Sequence, residues 1–291
     1  MAGFRRRALF SLATNPLYER AILGVPAVRA VAYRRARRYV AGTTFQEAVA
    51  VVRALAAEGI GASVDFFGER VTDPEQAARV AHAYVELAGA LTATPTTTHL
   101  ALDLSHIAFD TDALLRIAAA LPDGRLLQVG AEEAHTTDHV HAALLRAHAD
   151  GLPVAATLQA NLRRSPADAD RLASAGIPVR LVKGAYVESA RDALPYGPET
   201  DAAYTQLAHR LAAHAPDLRG AGVILATHDD TLRAPLLQAL PAATTELLLG
   251  VHVDRARPLA ATGRPVRIYV PFGASWLRYF LRRRAEAQGT G

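Results

Sequence analysis

The chain has 291 residues, of which 51% are hydrophobic and 21% are charged, and its formal net charge is +4. This balance is typical of a soluble globular protein with a large core. The absence of cysteine excludes disulfides, thiolate metal sites and cysteine nucleophiles. No segment approaches the roughly 20 apolar residues that a membrane span needs, and no cleavage pattern follows the first apolar run. We therefore expect a cytoplasmic protein.

Basic residues cluster at Arg5 to Arg7, Arg34 to Arg38 and Arg282 to Arg284. No aromatic residues alternate with the first cluster, as stacking platforms for nucleic acid would. We therefore expect solvated helix faces and no nucleic-acid partner. Cationic surface helices also favour anionic lipid headgroups, so peripheral contact with the inner face of a membrane is a further hypothesis.

Short apolar segments recur about every thirty residues along the chain. Their nearly continuous apolar character predicts strands buried on both faces of a parallel sheet. The eight predicted strands are Ala62 to Phe67, His99 to Leu104, Arg125 to Ala131, Pro153 to Ala160, Val179 to Tyr186, Gly222 to His228, Thr244 to Val251 and Pro265 to Phe272.

Alanine-rich amphipathic segments separate the strands and predict helices. They are Pro74 to Ala90, Asp112 to Ala120, Thr137 to Asp150, Ser165 to Ala175, Asp201 to Ala215 and Thr231 to Leu240. Asp73, Ser165 and Asp230 are the predicted helix caps. Strand and helix alternating about eight times predicts a (β/α)8 barrel over residues 61–291. A doubly wound open sheet is the alternative, but the glycines at Gly59 to Gly61 precede their strand instead of following it.

Helices are also predicted at both ends of the chain. Residues 1–60 read as a helical segment packed on the barrel, with one helix starting at the capping sequence Thr43 to Glu47. The last helix, Ser275 to Ala287, follows the final strand.

Polar side chains stand at the ends of the predicted strands. In a (β/α)8 barrel these ends form one rim, where functional residues gather. The predicted rim residues are Asp65, Asp103, Gly130, Glu132, Glu133, Gln159, Arg180, Lys183, Thr227, His228 and Tyr269.

Two cationic groups suggest binding of anions. Lys183, the only lysine of the chain, follows Arg180 at a strand end, and Gly184 lets the backbone approach a phosphate closely. A salt bridge at the strand end is the structural alternative. Arg282 to Arg284 lie on the predicted last helix, where two neighbouring arginines could address one carboxylate. A solvated helix face is the alternative there.

Histidines raise the separate hypothesis of a metal-dependent hydrolase. His139 and His141 have the spacing of paired metal ligands, but they fall inside a predicted helix, where residues two apart point to different faces. His228 stands at a strand end without a second histidine converging on it. We therefore expect no metal.

Four ordered motifs resemble the proline dehydrogenase family in its monofunctional bacterial form. They are Arg180 to Tyr186, Ala226 to Asp229, Arg267 to Gly273, and Trp276 to Glu286. Ala62 to Glu69, Leu158 to Ala160 and Leu162 to Arg164 fit the same pattern. The resemblance extends from about Val40 to Glu286.

The resemblance implies a distorted (β/α)8 barrel that holds FAD and oxidises L-proline to Δ1-pyrroline-5-carboxylate, with a membrane quinone as electron acceptor. By resemblance, Gln159 and Arg180 would lie against the isoalloxazine ring. The rest of FAD would be held by Lys183, Gly184, Ala185, Thr227, His228 and Glu286. Arg282 and Arg283 would bind the substrate carboxylate, and Tyr186 and Tyr269 would wall its ring, with the terminal helix folded over the barrel mouth.

The chain departs from this family's pattern at positions expected to line the substrate pocket. Asp103 stands where the family usually has lysine, and Gly130 where it has aspartate. Together these differences make the mouth one unit more negative. Asn161 and Leu249 each replace a tyrosine. Proline remains the expected substrate, and another cyclic or secondary amine is the alternative. A barrel that has lost catalysis and serves as a flavin- or partner-binding module is a second alternative.

Overall fold

The computed structural model describes residues 16–66, 71–184, 186–215, 220, 222–251 and 253–287. Three helices come first: α1 (Pro16–Gly24), α2 (Pro26–Ala36) and α3 (Phe45–Ala57). Strands and helices then alternate. The elements are β1 (Gly61–Phe66), α4 (Pro74–Ala90), β2 (Thr98–Leu102), α5 (Thr111–Ala119), β3 (Leu127–Val129), α6 (Thr137–Ala149), β4 (Val154–Gln159), α7 (Ser165–Ser174), β5 (Val179–Val182), α8 (Pro198–Ala213), β6 (Val223–Leu225), α9 (Asp230–Ala239), β7 (Thr244–Leu248), α10 (Ala256–Ala261), β8 (Val266–Phe272) and α11 (Trp276–Ala287).

The eight strands form a closed parallel barrel in chain order. Each strand pairs with its neighbours in sequence, and β8 closes the barrel against β1, where Ser63 lies beside Tyr269. The (β/α)8 prediction is therefore confirmed, and the open sheet is excluded. All eight strands are where the sequence predicts them, but most are shorter. For example, β5 ends at Val182 instead of Tyr186.

The strands and the helices around them share one apolar core. Its members include Val64, Leu100, Leu127, Leu181 and Ile268, which come from five different strands. Burial on both faces explains why the strands read as continuous apolar runs in the sequence. In the described part of the chain, no helix is long and apolar enough to cross a membrane.

The first helices are attached to the barrel rim and to the last helix. Backbone bonds join Ala41 N–H to Pro271 O (2.9 Å) and Gly273 N–H to Gly42 O (3.0 Å) at the end of β8. A second apolar cluster joins α2 to α11, in which the rings of Tyr33 and Trp276 lie 5.1 Å apart. The boundary predicted at residue 60 stays a prediction.

Of the three predicted helix caps, Asp73 is confirmed, whereas Ser165 and Asp230 are not caps. Asp73 caps α4 by accepting the Gln76 N–H (2.9 Å), and the Thr44–Glu47 capping box is present at α3. Ser165 is not a cap: it lies inside α7, and its hydroxyl donates to Gln159 O at the end of β4. At α9 the cap is Asp229 instead of Asp230, because Asp229 accepts the Thr231 N–H (3.0 Å).

Arg125, which is buried before β3, anchors the chain that leads into β2. Its guanidinium donates to the carbonyl oxygens of Thr98 (2.8 Å), Thr94 (3.0 Å), Leu91 (3.3 Å) and Pro95. These carbonyls would lose their donors together if the side chain were removed.

We expect Arg125→Met to lower the free energy of unfolding by about 3 kcal/mol, since buried acceptors would be left unsatisfied. Arg53→Met is the matched control, because the exposed Arg53 donates a single bond to Ala93 O (3.0 Å) in the same region. Urea denaturation measures both. Equal losses for the two variants would contradict the anchoring role of Arg125.

Candidate active site

The C-terminal ends of the eight parallel strands form one rim of the barrel. The side chains that point inward here alternate with core residues along each strand. Ser63 and Asp65 on β1, Glu246 on β7 and Tyr269 on β8 follow this alternation. Two hydrogen bonds join them in pairs: Ser63 donates to Glu246, and Tyr269 donates to Asp65. The candidate site is therefore the inner surface of the barrel near this rim.

A buried carboxylate, Glu246, lies at the centre of the barrel interior. It forms an ion pair with Arg180 from β5, accepts a hydrogen bond from the Ser63 hydroxyl (2.9 Å), and lies 3.7 Å from the Arg267 guanidinium. Gln128 donates to it (3.3 Å) and accepts from Arg267 (3.2 Å). Burial alone would raise the pKa of Glu246, but Arg180 and Arg267 outweigh it and hold the pKa below its usual value. Glu246 is not among the predicted site residues, since one acidic residue in a strand carries no distinguishing pattern.

Tyr269 joins this interior to the rim. Its hydroxyl donates to Asp65 Oδ2 (2.6 Å), and the Arg180 guanidinium lies 5.6 Å from the centre of its ring. Burial, together with the charges of Asp65 and Asp103, raises the pKa of Tyr269 well above its usual value. Arg180 and Tyr269, two of the predicted catalytic residues, are therefore neighbours, and Tyr269 keeps its proton at neutral pH.

Asp103 directly follows β2, and its carboxylate extends over Gly130 at the end of β3. A Cβ atom added at Gly130 would overlap the Asp103 Oδ1 atom. The Gly130 N–H donates to Leu102 O (2.8 Å), and its φ lies outside the left-handed region, so only the space is restricted at this position. Asp103 and Gly130 thus fit together as a pair.

Glu132 lies beside Asp103 and is buried. Its Oε1 accepts the Ser105 N–H (2.8 Å), and its backbone oxygen accepts the Gln159 side-chain amide (3.0 Å). Burial, followed by the charge of Asp103, raises the pKa of Glu132 to about 7. The sequence places Glu132 at the rim without giving it a role, because the proximity of Asp103 depends on the folded barrel.

The rim beyond β5 is organised around Lys183. Its ammonium lies 2.6 Å from Asp201 Oδ1 on α8 and 2.9 Å from Asp229 Oδ2 after β6. Burial works against the charged form, but the two carboxylates outweigh it and raise the pKa of Lys183. The salt bridge considered for this strand end is therefore present.

Gly184, Thr227 and His228 lie on the same part of the rim. Gly184 has a φ of +144°, and a Cβ atom there would overlap the Asn161 side chain, so glycine is required. The Thr227 hydroxyl accepts the Asp229 N–H (3.1 Å). His228 Nε2 accepts the Leu248 N–H at 3.4 Å.

Other predicted site residues are only partly described. Ala185 lies outside the described residues, as do the side chains of Arg282 and Glu286, whose backbones belong to α11. Arg283 is half-buried on α11, and its guanidinium lies 5.0 Å from the centre of the Tyr279 ring. Tyr186 is half-buried in the loop after β5.

The histidines of α6 have separate partners. His139 is exposed and contacts Phe109 O through its Nε2 (2.8 Å), whereas the buried His141 lies 3.5 Å from Asp168 Oδ1. The pair therefore occupies different faces of the helix, as predicted. Among the described residues, no group of three or more histidine, aspartate or glutamate side chains could hold a metal ion.

Comparison with known proteins gives the family. A family model described as proline dehydrogenase matches residues 48–290. Proline dehydrogenase 1 of Bacillus subtilis (strain 168) is 31% identical over 265 residues, which cover 86% of each chain. A proline dehydrogenase of Deinococcus radiodurans is 30% identical over an alignment of 301 positions, which covers 94% of each chain.

Solved structures share the fold at lower identity. Proline utilization A (PutA) from Bdellovibrio bacteriovorus, inactivated by N-propargylglycine, superposes with a TM-score of 0.83 at 18% identity. The match covers 99% of this chain and 37% of that longer one. PutA from Corynebacterium freiburgense has a TM-score of 0.71 at 16% identity, over 98% of this chain and 33% of its own length.

The barrel and its charged, inward-facing rim define an enzyme of the (β/α)8 class. Within that class, the chain belongs to the proline dehydrogenase family and is an oxidoreductase.

Replacing Glu132 by glutamine should change how stability depends on pH. The pKa of Glu132 is raised from an ordinary 4.5 to about 7, so the folded protein binds this proton more tightly than the unfolded chain does. Stability from this proton is fully present below pH 4.5 and is lost as the pH rises to 7. We expect the wild type to lose about 3 kcal/mol relative to Glu132→Gln across that interval.

Denaturant titrations at several pH values between 4.5 and 8 measure this difference. Glu133→Gln, at the neighbouring position, is the control and should run parallel to the wild type. A Glu132→Gln curve that also runs parallel to the wild type would contradict the proposed burial of the proton.

Proposed function

We propose that the chain oxidises L-proline, or a similar cyclic or secondary amine, to the corresponding imine with FAD as cofactor. For proline the product is Δ1-pyrroline-5-carboxylate. The observation that carries the proposal is the cluster of Arg180, Tyr269 and Asp65, which puts a cation and an oriented aromatic ring beside the strand ends where Gln159 and Lys183 lie. Membership of the proline dehydrogenase family supports the same reaction.

The polar atoms around β4 and β5 are suited to the proposed cofactor. Thr157 Oγ1 and Asn161 Oδ1 are buried and have no hydrogen-bond partner in the described part of the chain. Buried polar atoms ordinarily find partners, so hydrogen-bond donors and acceptors of a ligand at this rim would complete them. Gly184 adds a backbone segment without Cβ, at which a ligand can approach closely. Gln159, Arg180, Lys183, Gly184, Thr227 and His228 would hold FAD, and we propose the same for Ala185 and Glu286.

The bound flavin would accept a hydride from the carbon beside the substrate nitrogen. The chain's own residues would prepare that transfer. Arg180 supplies positive charge at the flavin side, since Arg180 and Arg267 together exceed the single charge of Glu246. Tyr269, fixed by Asp65, and Tyr186 would form the walls of the substrate pocket. Arg282 and Arg283 would bind the substrate carboxylate.

The amine must lose its proton before hydride transfer, because an ammonium has no lone pair to form the imine. Asp103 and Glu132 are interacting carboxylates at the mouth, and the raised pKa of Glu132, about 7, matches a group that takes up a proton near neutral pH. We propose that this pair receives the proton. Electrons would leave to a quinone or another acceptor, and the protein would act in the cytoplasm.

Anaerobic mixing of the FAD-loaded protein with excess L-proline tests the proposal. We expect the visible flavin absorbance to bleach. If the FAD-loaded protein stays yellow with proline but bleaches with another secondary amine, the proposed reaction would stand and the substrate would be that amine. A flavin reduced by no amine would favour the binding-module alternative, and failure to bind FAD would overturn the proposal.

Exchange of the Asp103 and Gly130 pair probes the substrate pocket. We expect Asp103→Lys with Gly130→Asp to raise proline turnover, because a lysine would add a cation near the substrate carboxylate. Gly130→Asp alone should instead lower activity by about tenfold or more, since its Cβ would overlap Asp103 and displace that side chain. Steady-state kinetics measure both variants. No gain from the double change would count against this assignment of the pocket.

A further inference from the structure

His106 lies in a single turn of 3₁₀ helix (Leu104–Ile107) that directly follows Asp103. Three residues make one turn of such a helix, so side chains three apart lie on the same side. The backbone N–H of His106 donates to Asp103 O (3.0 Å), and Nε2 of its imidazole lies 3.9 Å from Asp103 Oδ2. The imidazole is buried, whereas the Asp103 side chain is 37% exposed. Asp103 therefore lies between His106 and the solvent at the barrel mouth.

The hydroxyl of Tyr84 determines which ring nitrogen of His106 carries the proton. Tyr84, on α4, is fully buried, and its hydroxyl lies 2.8 Å from Phe66 O and 3.1 Å from His106 Nδ1. A carbonyl oxygen can only accept, so the single hydroxyl proton goes to Phe66 O, and Nδ1–H must donate to Tyr84. Burial, followed by the charges of Asp65 and Asp103, raises the pKa of Tyr84 well above its usual value, so the hydroxyl keeps its proton. In the neutral imidazole, Nε2 therefore holds the lone pair, on the side of Asp103.

Two carboxylates share this region with His106. In the described part of the chain, Tyr84, Asp103 and Glu132 are the titratable groups that face the imidazole, and Asp65 acts on Tyr84. Glu132 is tied to the same turn, because its Oε1 accepts the Ser105 N–H (2.8 Å). Burial and the charge of Asp103 raise the pKa of Glu132 to about 7, and the charge of His106 opposes this rise. A proton gained by one of these groups therefore changes how tightly the others bind theirs.

We infer that His106 takes up the substrate proton through Asp103, and that Tyr84 is the positioning residue that keeps Nε2 ready to accept it. This inference rests on the proposed function. The substrate ammonium would give its proton to Asp103, and a small rotation of that carboxylate would close the 3.9 Å gap to Nε2. The O–H bond of Asp103 would break as the Nε2–H bond forms, so Asp103 returns to its anionic form and His106 becomes an imidazolium. The amine keeps the electron pair that the imine needs, and the two carboxylates stabilise the imidazolium.

Nitrogen NMR of the isotope-labelled histidine rings in the FAD-loaded protein tests the tautomer without any turnover. We expect the neutral His106 ring to carry its proton on Nδ1, because the hydrogen bond of one ring nitrogen sets the tautomer. Tyr84→Phe removes that hydrogen bond and should shift His106 towards the Nε2–H form. The signal is identified by its loss in His106→Asn. A neutral wild-type ring with its proton on Nε2 would overturn the inference.

The pH dependence of flavin reduction by proline tests the proton transfer. His106→Asn keeps an amide that can donate to Tyr84 but cannot take up a proton. We expect this variant to reduce the flavin about tenfold more slowly near neutral pH. The difference should disappear at about pH 10, where more of the amine is already unprotonated. Tyr84→Phe should show the same pH-dependent loss to a smaller extent. A loss by one constant factor at every pH would indicate a purely structural role and contradict the inference.

Matched controls carry the same changes outside this cluster. His139→Asn, at the exposed histidine beside Phe109 O, and Tyr204→Phe, at a buried tyrosine that donates to Leu181 O (3.1 Å), should keep the wild-type pH profile. An equal change of profile in these controls would also count against the inference. If no amine reduces the wild-type flavin, the proposed function fails and takes this inference with it. If the wild-type flavin is reduced and the His106→Asn profile matches it, only the role of His106 fails.

Discussion

The charge of the barrel interior depends on one carboxylate. Two arginines, Arg180 from β5 and Arg267 from β8, point into a space shielded from water, and Glu246 on β7 lies between them. Buried charges are tolerated only when paired and hydrogen-bonded, and Ser63 and Gln128 complete those bonds. A shift of β7 by one residue would point Glu246 outward and leave both arginines unpaired. The cluster therefore favours one register in the strands that close the barrel.

Tyr269 connects this buried cluster to the barrel mouth. Its ring lies beside Arg180, its hydroxyl is bonded to Asp65, and its outer edge packs with the cluster that joins α2 and α11. The helices at the two ends of the chain thus meet on a residue of the site. A further contact holds the helical layer on the barrel. The Arg38 side chain donates to Gly250 O (3.0 Å), and a Cβ atom at position 250 would overlap the backbone oxygen of Arg38. The helical layer is part of the mouth, although it precedes the barrel in sequence.

The sequence predicts the barrel well because each strand is an apolar run bounded by polar residues. Strand ends are less predictable: Val179 to Tyr186 reads as one run, but the positive φ of Gly184 cannot continue a strand. Helix α10 was missed because it spans only six residues and contains Pro258. Ser165 has the identity of a cap but bonds to Gln159 O, a partner supplied by the fold. The sequence therefore predicts features that depend on neighbouring residues, but it does not predict partners that are distant along the chain, such as Glu246.

The contact between Asp103 and Gly130 changes the interpretation of the two differences from the family pattern at the substrate pocket. The sequence suggests that a lysine and an aspartate have both been lost. In the fold, the Asp103 carboxylate fills the space that a side chain at position 130 would enter, so an acidic group is still present at the end of β3. Of the two charges, only the cation is missing. Asp103 also raises the pKa of Glu132, so these two carboxylates interact at the mouth. The family pattern instead has a lysine and an aspartate, whose charges cancel. Under the proposed function, such a mouth would attract the ammonium end of the substrate more strongly, and the substrate carboxylate would be left to Arg282 and Arg283.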